Sequence, residues 1–390
     1  MKILLFTNSL GGGGTERVAA TLANFWVRQG AEVTIVTINP QSEDFYVLDP
    51  AIGRISLNLS TESGNVLNAV LHNMRRVAAL RRALRQIRPT VALSMMSTPN
   101  VLLALASRGI PNLCTIGSEH CYPPHAPLGL WWGVLRRRMY GRLSAVVALT
   151  NEGAQWIRTH STARHVSVIP NAVVWPLPNN PPKIRANALC PPERKVLLAV
   201  GRLDIVKNYG VLIRAFAALA DRYGDWDLVI LGEGPERPRL ELAIREANLT
   251  GRIFIPGIAG NVREWYARAD LYVMTSLSEG FPNALAEALS HGIPAVSFDC
   301  DTGPRDIIRH GIDGLLVPAQ DCAALIAALD RVIGDSDLRQ RLGARAHEAR
   351  ERFSIEKIAG LWTELFSELF DTPVFSTLAR GAPATKRCGQ

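Results

Sequence analysis

Short apolar runs alternate along the chain with stretches whose apolar positions recur at helical spacing. "KILLFTN" (2–8), "EVTIVTI" (32–38), "VALSMM" (91–96), "NLCTIGS" (112–118), "AVVALT" (145–150) and "VSVIPN" (166–171) read as strands. Helical patterns lie between most of them, the clearest from about Glu16 to Gln29. A stretch dense in Pro and Asn, 175–194, reads as a linker. A second set follows: "KVLLAVG", "WDLVILG", "RIFIPG", "DLYVMTS", "IPAVSFD" and "GLLVP", again with helices between. Their unbroken apolarity suits strands covered on both faces. Strand–helix alternation predicts an α/β fold of two Rossmann-like, doubly wound domains, 1–172 and 195–352, joined by 173–194. A helix within 353–372 and a disordered tail at 373–390, which shows no periodicity, complete the reading.

Composition adds limits. A chain of 390 residues, 47% hydrophobic and 20% charged, is an ordinary globular protein of about two domains. Its six cysteines form no CxxC pair, which points to a reducing compartment and away from a zinc site or disulfide framework. The opening "MKILLFTNSL" turns polar too soon for a signal peptide, and no apolar run approaches the ~18 to 20 residues of a membrane span. A cytoplasmic location is expected. Residues 1–175 hold 17 Lys and Arg against 8 Asp and Glu, so the whole net charge of +8 belongs to the first half. That half is expected to meet an anionic partner.

Ligands of open parallel sheets bind beyond the carboxyl ends of the strands, so the expected site is a cleft between the domains. Three segments at strand ends carry the chemistry. "NSLGGGGTER" (8–17) lets the backbone approach a ligand before a helix N-terminus. It is neither a Walker loop nor a GxGxxG fingerprint followed by an acid. "VGRLDIVKNYG" (200–210) offers Arg202 and Lys207, which can grip a diphosphate and neutralise it as it departs. "SLSEGFPNALAEALSHG" (276–292) sets Glu279 in a loop, expects Pro282 at the first helical position, and projects Glu287 from the helix. A carboxylate suits a pair of ribose hydroxyls at Glu287 and sugar hydroxyls at Glu279. Backbone N–H groups near Phe281 and Asn283 suit phosphate or sugar oxygens. Taken singly, each segment could be a flexible turn, a solvated pair or a helix-start acid. Together they form a nucleotide-sugar site.

These motifs, with "HGIDGLLVP", resemble those of the retaining glycosyltransferases of family 4, which have the GT-B fold, and the resemblance spans roughly residues 1–370. It implies that Glu287 binds the nucleotide ribose, Glu279 the transferred sugar, and Arg202 and Lys207 the diphosphate. It also implies that Gly13 and Gly14 approach the donor from the other domain, although four glycines run together where the family has a pair. A family histidine near the transferred sugar matches His120 in "TIGSEHCYPP". The family's final helix crosses back to the first domain, which would fit 355–370, with a hinge at 172–194.

The expected reaction is transfer with retention: the anomeric bond breaks, an oxocarbenium-like centre forms, and the acceptor hydroxyl attacks from the same face. The two cations replace a metal, and no cofactor is expected. Of the three DxD patterns only Asp299 and Asp301 could reach the cleft. For the acceptor, the helix 74–89 carries Arg81, Arg85 and Arg88 as a stripe beside an apolar face of Val77, Leu80, Leu84 and Ile87. The helix 128–143 lines up Leu128, Trp131, Trp132, Leu135, Met139 and Leu143 against Arg136 to Arg138. Both suit an anionic bilayer, or are ordinary sheet-covering helices. "GGTERV…LAN", "IGSEH" and the Arg-rich helix are similar to the family members that extend polyprenyl-diphosphate-linked saccharides, where a basic helix holds the lipid diphosphate. That implies a UDP-sugar donor and a peripheral position at the inner membrane face. Rivals are a nicotinamide dehydrogenase, a nucleic-acid binder that would leave both glutamates idle, a silent nucleotide-sugar sensor, and a transferase with a soluble acceptor.

Overall fold

The computed structural model describes residues 1–60 and 66–370. The described residues divide into two compact units, one holding Met1–Ala172 together with the helix Ile355–Phe370, the other Val173–Ser354. The disordered-tail expectation lies outside the described residues.

The first unit is built on a seven-stranded, all-parallel sheet in the order β3-β2-β1-β4-β5-β6-β7. Its strands are β1 (Lys2–Thr7), β2 (Glu32–Thr37), β3 (Gly53–Ser56), β4 (Val91–Met95), β5 (Cys114–Glu119), β6 (Ala145–Ala148) and β7 (Val166–Val168). Alternation within β1 explains why its apolar run is unbroken: Ile3 and Leu5 enter one core, Leu4 and Phe6 the other. Helix α1 (Gly14–Arg28) covers the first face; α2 (Val66–Ile87), α3 (Ser97–Ala106) and α4 (Leu130–Met139) pack around the second. The helix Ile355–Phe370 belongs to this unit. Its Trp362 and Phe366 lie against Trp26 of α1, with ring centroids 6.3 and 5.9 Å away. Strand β3 escaped the sequence reading because it is a four-residue edge strand with no fully buried side chain.

The second unit holds a six-stranded parallel sheet, β10-β9-β8-β11-β12-β13. The strands are β8 (Lys195–Val200), β9 (Trp226–Leu231), β10 (Ile253–Gly257), β11 (Leu271–Met274), β12 (Ala295–Asp299) and β13 (Gly314–Pro318). Gly232 follows β9 at φ 154°, where an added Cβ would lie 1.9 Å from the Gly201 carbonyl oxygen, so the chain just beyond two strand ends passes within backbone contact.

The stretch read as a linker is packed. Asn261 brackets Ile184, accepting from its N–H at 3.0 Å and donating to its carbonyl at 3.1 Å. Asn180 and Pro182 exchange backbone bonds with Gly260. Val173 N–H donates to the Phe353 carbonyl at 2.7 Å. With so many backbone groups paired, most of 173–194 behaves as part of the second unit rather than as a flexible tether.

Candidate active site

Strand β8 delivers Gly201 and Arg202. A Cβ on Gly201 would sit 3.0 Å from Lys207 Cε and 2.7 Å from Tyr209 Oη, so the glycine makes room for the lysine stem to fold over the strand end. Asp204 then organises both cations. One of its carboxylate oxygens accepts from the Lys207 N–H at 3.1 Å, closing the short 3-10 turn Ile205–Lys207. The other accepts from Arg202 Nε at 2.7 Å, leaving the arginine side chain 75% exposed.

The loop after β11 lies beside this turn. Leu277 N–H donates to the Val206 carbonyl at 2.8 Å, and Thr275 Oγ1 to the Lys207 carbonyl at 2.9 Å. The result is a direct ion pair: Lys207 Nζ is 2.5 Å from Glu279 Oε1. Ser276 Oγ donates to that same oxygen at 2.6 Å, and the Thr302 hydroxyl holds the Glu279 carbonyl. The cation expected for diphosphate and the acid expected for sugar thus meet in one cluster.

Pro282 caps the following helix, Asn283–Ser290, instead of opening it. Its carbonyl accepts from Leu285 and Ala286 at 3.0 and 3.2 Å, so the first helical residue is Asn283. Glu287, one turn in, is 4% exposed and accepts from Tyr266 Oη at 3.2 Å. Tyr266 is itself buried, with Tyr272 and His291 ring centroids 6.3 and 5.0 Å away. No local pattern in the sequence pointed to Tyr266; only folding brings it to Glu287. Phe281 is buried edge-on against Phe353, centroids 5.5 Å apart, so a ligand can meet only its backbone.

In the first unit, Gly13 is the N-cap of α1 and Gly14 its first residue. Glu16 folds back over Gly13, where an added Cβ would lie 2.2 Å from its carboxylate, and Tyr46 Oη donates to the Gly13 carbonyl at 2.9 Å. Gly12 and Gly14 are the exposed members of the run.

His120 follows β5 and is buried, its Nε2 3.1 Å from Ser118 Oγ. Burial pushes its pKa down to about 4, so the imidazole is neutral near pH 7. The adjacent Glu119 anchors the strand end. Ser97 Oγ lies 2.7 and 2.8 Å from its two oxygens, and Tyr140 Oη donates at 2.5 Å. Burial pushes this carboxyl up against the pull of those bonds and of Arg136.

The basic helices differ from expectation. Val77, Leu80, Leu84 and Ile87 do face the core. Helix α2 ends at Ile87, however, and Arg88 is left-handed at φ 51°, so Arg88 is off the stripe. Arg81 is occupied, its Nη1 donating to the Ala106 and Arg108 carbonyls at 3.0 and 2.6 Å. Only Arg85 of the three remains an exposed helical arginine. In α4 the expected faces trade members. Arg136 is buried with its guanidinium 4.7 Å from the centre of the Trp156 ring, whereas Leu130 and Trp131 are 89% and 80% exposed. Arg137 and Arg138 are exposed at the other end of that helix.

The DxD patterns serve the fold or stand apart. Asp227 is buried between Arg194 and Arg252, Asp335 caps a helix at Leu338, and Asp299 pairs with Arg305 at 2.9 Å. Among the described residues no three His, Cys, Asp or Glu side chains gather as a metal would need, and no helix is long and apolar enough to cross a membrane.

Residues 12–174 match the sequence family described as Glycosyltransferase Family 4, and 181–349 the family described as Glycosyl transferases group 1. An exopolysaccharide phosphotransferase of Streptomyces coelicolor is 34% identical over 293 residues, 74% of this chain but only 30% of that protein. A GalNAc-alpha-(1->4)-GalNAc-alpha-(1->3)-diNAcBac-PP-undecaprenol alpha-1,4-N-acetyl-D-galactosaminyltransferase of Campylobacter jejuni is 27% identical over 370 residues, covering 95% of this chain and 99% of that one. The fold is similar to that of Anabaena Alr3699/HepE in complex with UDP, with a TM-score of 0.77 at 18% identity over 94% of this chain and 100% of that one.

Proposed function

The chain belongs to the family 4 glycosyltransferases of GT-B fold, and on that footing we propose that it moves a hexose or N-acetylhexosamine from a UDP-sugar, with retention, to a polyprenyl-diphosphate-linked saccharide. The observation that carries this reading is the Lys207–Glu279 contact, with Arg202 on the same loop and Glu287 on the helix that follows. The donor's diphosphate would take Arg202 and Lys207, its ribose Glu287, and its sugar Glu279. The bond from the anomeric carbon to the diphosphate oxygen breaks, and the acceptor oxygen bonds to that carbon on the same face. The acceptor's proton passes to the departing diphosphate, whose negative charge the two cations hold. Two fixed positive charges supply what a divalent metal supplies elsewhere, so transfer should persist in chelator.

The acceptor class is supported by the Campylobacter relative, whose name specifies a diphospho-undecaprenol saccharide and whose whole length this chain covers. The uridine base is supported by the ligand of the Anabaena structure. An anionic membrane surface is supported by exposed Leu130 and Trp131 with Arg137 and Arg138 on the same short helix. The test is a panel of labelled nucleotide sugars with prenyl-diphosphate oligosaccharides. Stereochemistry at the new linkage decides retention, and binding of nucleotide sugar with neither transfer nor hydrolysis would establish a sensor instead.

A further inference from the structure

We propose that Phe45 is a stacking platform for a sugar ring of the saccharide acceptor, an inference that rests on the first unit being the acceptor-binding one. Phe45 is 65% exposed, and Val47 beside it 86%. An aromatic ring that faces water on a loop would ordinarily be mobile, but the backbone that carries this one is held from several sides and its ring meets Tyr46. Its own N–H donates to the Leu10 carbonyl at 2.9 Å. The preceding Asp44 is gripped by both Nε and Nη2 of Arg54 at 2.8 Å, a bidentate pair that is largely buried. On the other side, Asn24 of α1 donates to the Val47 carbonyl at 3.0 Å and accepts from the Asp49 N–H at 2.7 Å. Tyr46 stands edge-on to the ring, centroids 5.1 Å apart, and its hydroxyl is tied to Gly13.

An apolar ring left in water on a loop whose backbone is pinned in this way is placed as a preorganised ligand contact is. Its position selects the ligand. The loop lies over the glycine run that follows β1, at the carboxyl end of the sheet where open α/β sheets take their ligands. A Cβ at Gly12 would come 4.0 Å from Phe45 Cγ, so the ring stands beside the glycine run and the glycine leaves it uncrowded. A pyranose presents an apolar face of C–H bonds and a polar rim of hydroxyls. The ring answers the first, and the amides and hydroxyls around the loop can answer the second.

The experiment uses the full chain, a labelled nucleotide sugar and the prenyl-diphosphate oligosaccharide that the wild-type protein extends. Phe45→Ala should raise the acceptor KM about tenfold while leaving donor KM and acceptor-free donor hydrolysis unchanged. Phe45→Trp should stay within about threefold of wild type, because it keeps an aromatic face. An unchanged acceptor KM in Phe45→Ala overturns the proposal. So does an equal loss of donor hydrolysis, which would make the ring a support for the glycine loop. A loss of vesicle binding with normal acceptor KM also overturns it, because the ring would then be a membrane contact. If the wild-type protein neither transfers nor hydrolyses any sugar, the transferase reading itself fails and takes the proposal with it.

Discussion

Lys207 Nζ lies 2.5 Å from Glu279 Oε1, so a cation assigned to diphosphate is neutralised by an acid assigned to sugar before any ligand arrives. The pair is mostly withdrawn from solvent, which makes each partner costly to leave alone. On the proposed assignment, donor binding competes with Glu279 for the ammonium. Glu279→Gln should tighten UDP binding several-fold by calorimetry while slowing transfer, because the ammonium is released and a sugar contact is weakened. Lys207→Ala should lower kcat about 10²- to 10³-fold with the far-ultraviolet spectrum intact. Equal UDP affinity in wild type and Glu279→Gln would show that the ion pair does not hold the lysine back.

Tyr266 should act through Glu287. Its hydroxyl orients the carboxylate assigned to ribose, so Tyr266→Phe is expected to raise donor KM by about tenfold, with kcat within about twofold. The variant should also discriminate less against a 2′-deoxyribose donor. A purely structural tyrosine would change thermal stability and leave that discrimination alone.

Acid should weaken the first unit through His120. The folded protein holds this imidazole neutral down to about pH 4, whereas the unfolded chain protonates it near pH 6.5. Its contribution is therefore complete above the ordinary histidine value and drains away as pH falls toward 4, at most roughly 3 kcal/mol. Glu119 runs the other way, since burial raises its pKa and its contribution is lost as pH rises past the ordinary carboxylate range. Denaturant unfolding of His120→Asn against wild type at pH 7 and pH 4.5 isolates the histidine. The variant should lose less stability between the two, and parallel losses would show that the imidazole does not titrate there.

Helix α4 should touch lipid by its apolar beginning. Leu130→Ser with Trp131→Ser is expected to weaken binding to anionic vesicles at least about tenfold, from lost apolar burial alone. Arg137→Glu with Arg138→Glu should instead flatten the salt dependence of that binding. Sedimentation with phosphatidylglycerol vesicles reads both, and unchanged binding in the first variant would remove this helix from the membrane.

Much of the fold and part of the site are legible along the chain. Six of the seven strands in the first sheet, and all in the second, stand out as short apolar runs, most of them because a strand covered on both faces favours apolar residues, although β7 has no buried residue and stands out by its valines alone. The roles suggested for Arg202, Lys207 and Glu279 follow from another regularity: loops at carboxyl strand ends hold polar groups that the core would refuse, whereas Glu287 lies buried on the helix that follows. Strand β3 is hidden because four half-exposed residues make no pattern.

Sequence by itself determined the class of the fold, the strand ends that carry charge, and the order of the segments, because each depends on periodicity within one element. Tertiary structure decided which groups meet. Arg136 is buried rather than solvated because Trp156, from a later helix, lies under it, and Arg81 is drawn to two carbonyls at the end of α3. Tyr266 reaches Glu287, and Phe45 is held over Gly12, only through contacts between distant segments. A side chain's burial and partners are set by whatever the fold packs against it, and that neighbour is absent from its own stretch of chain.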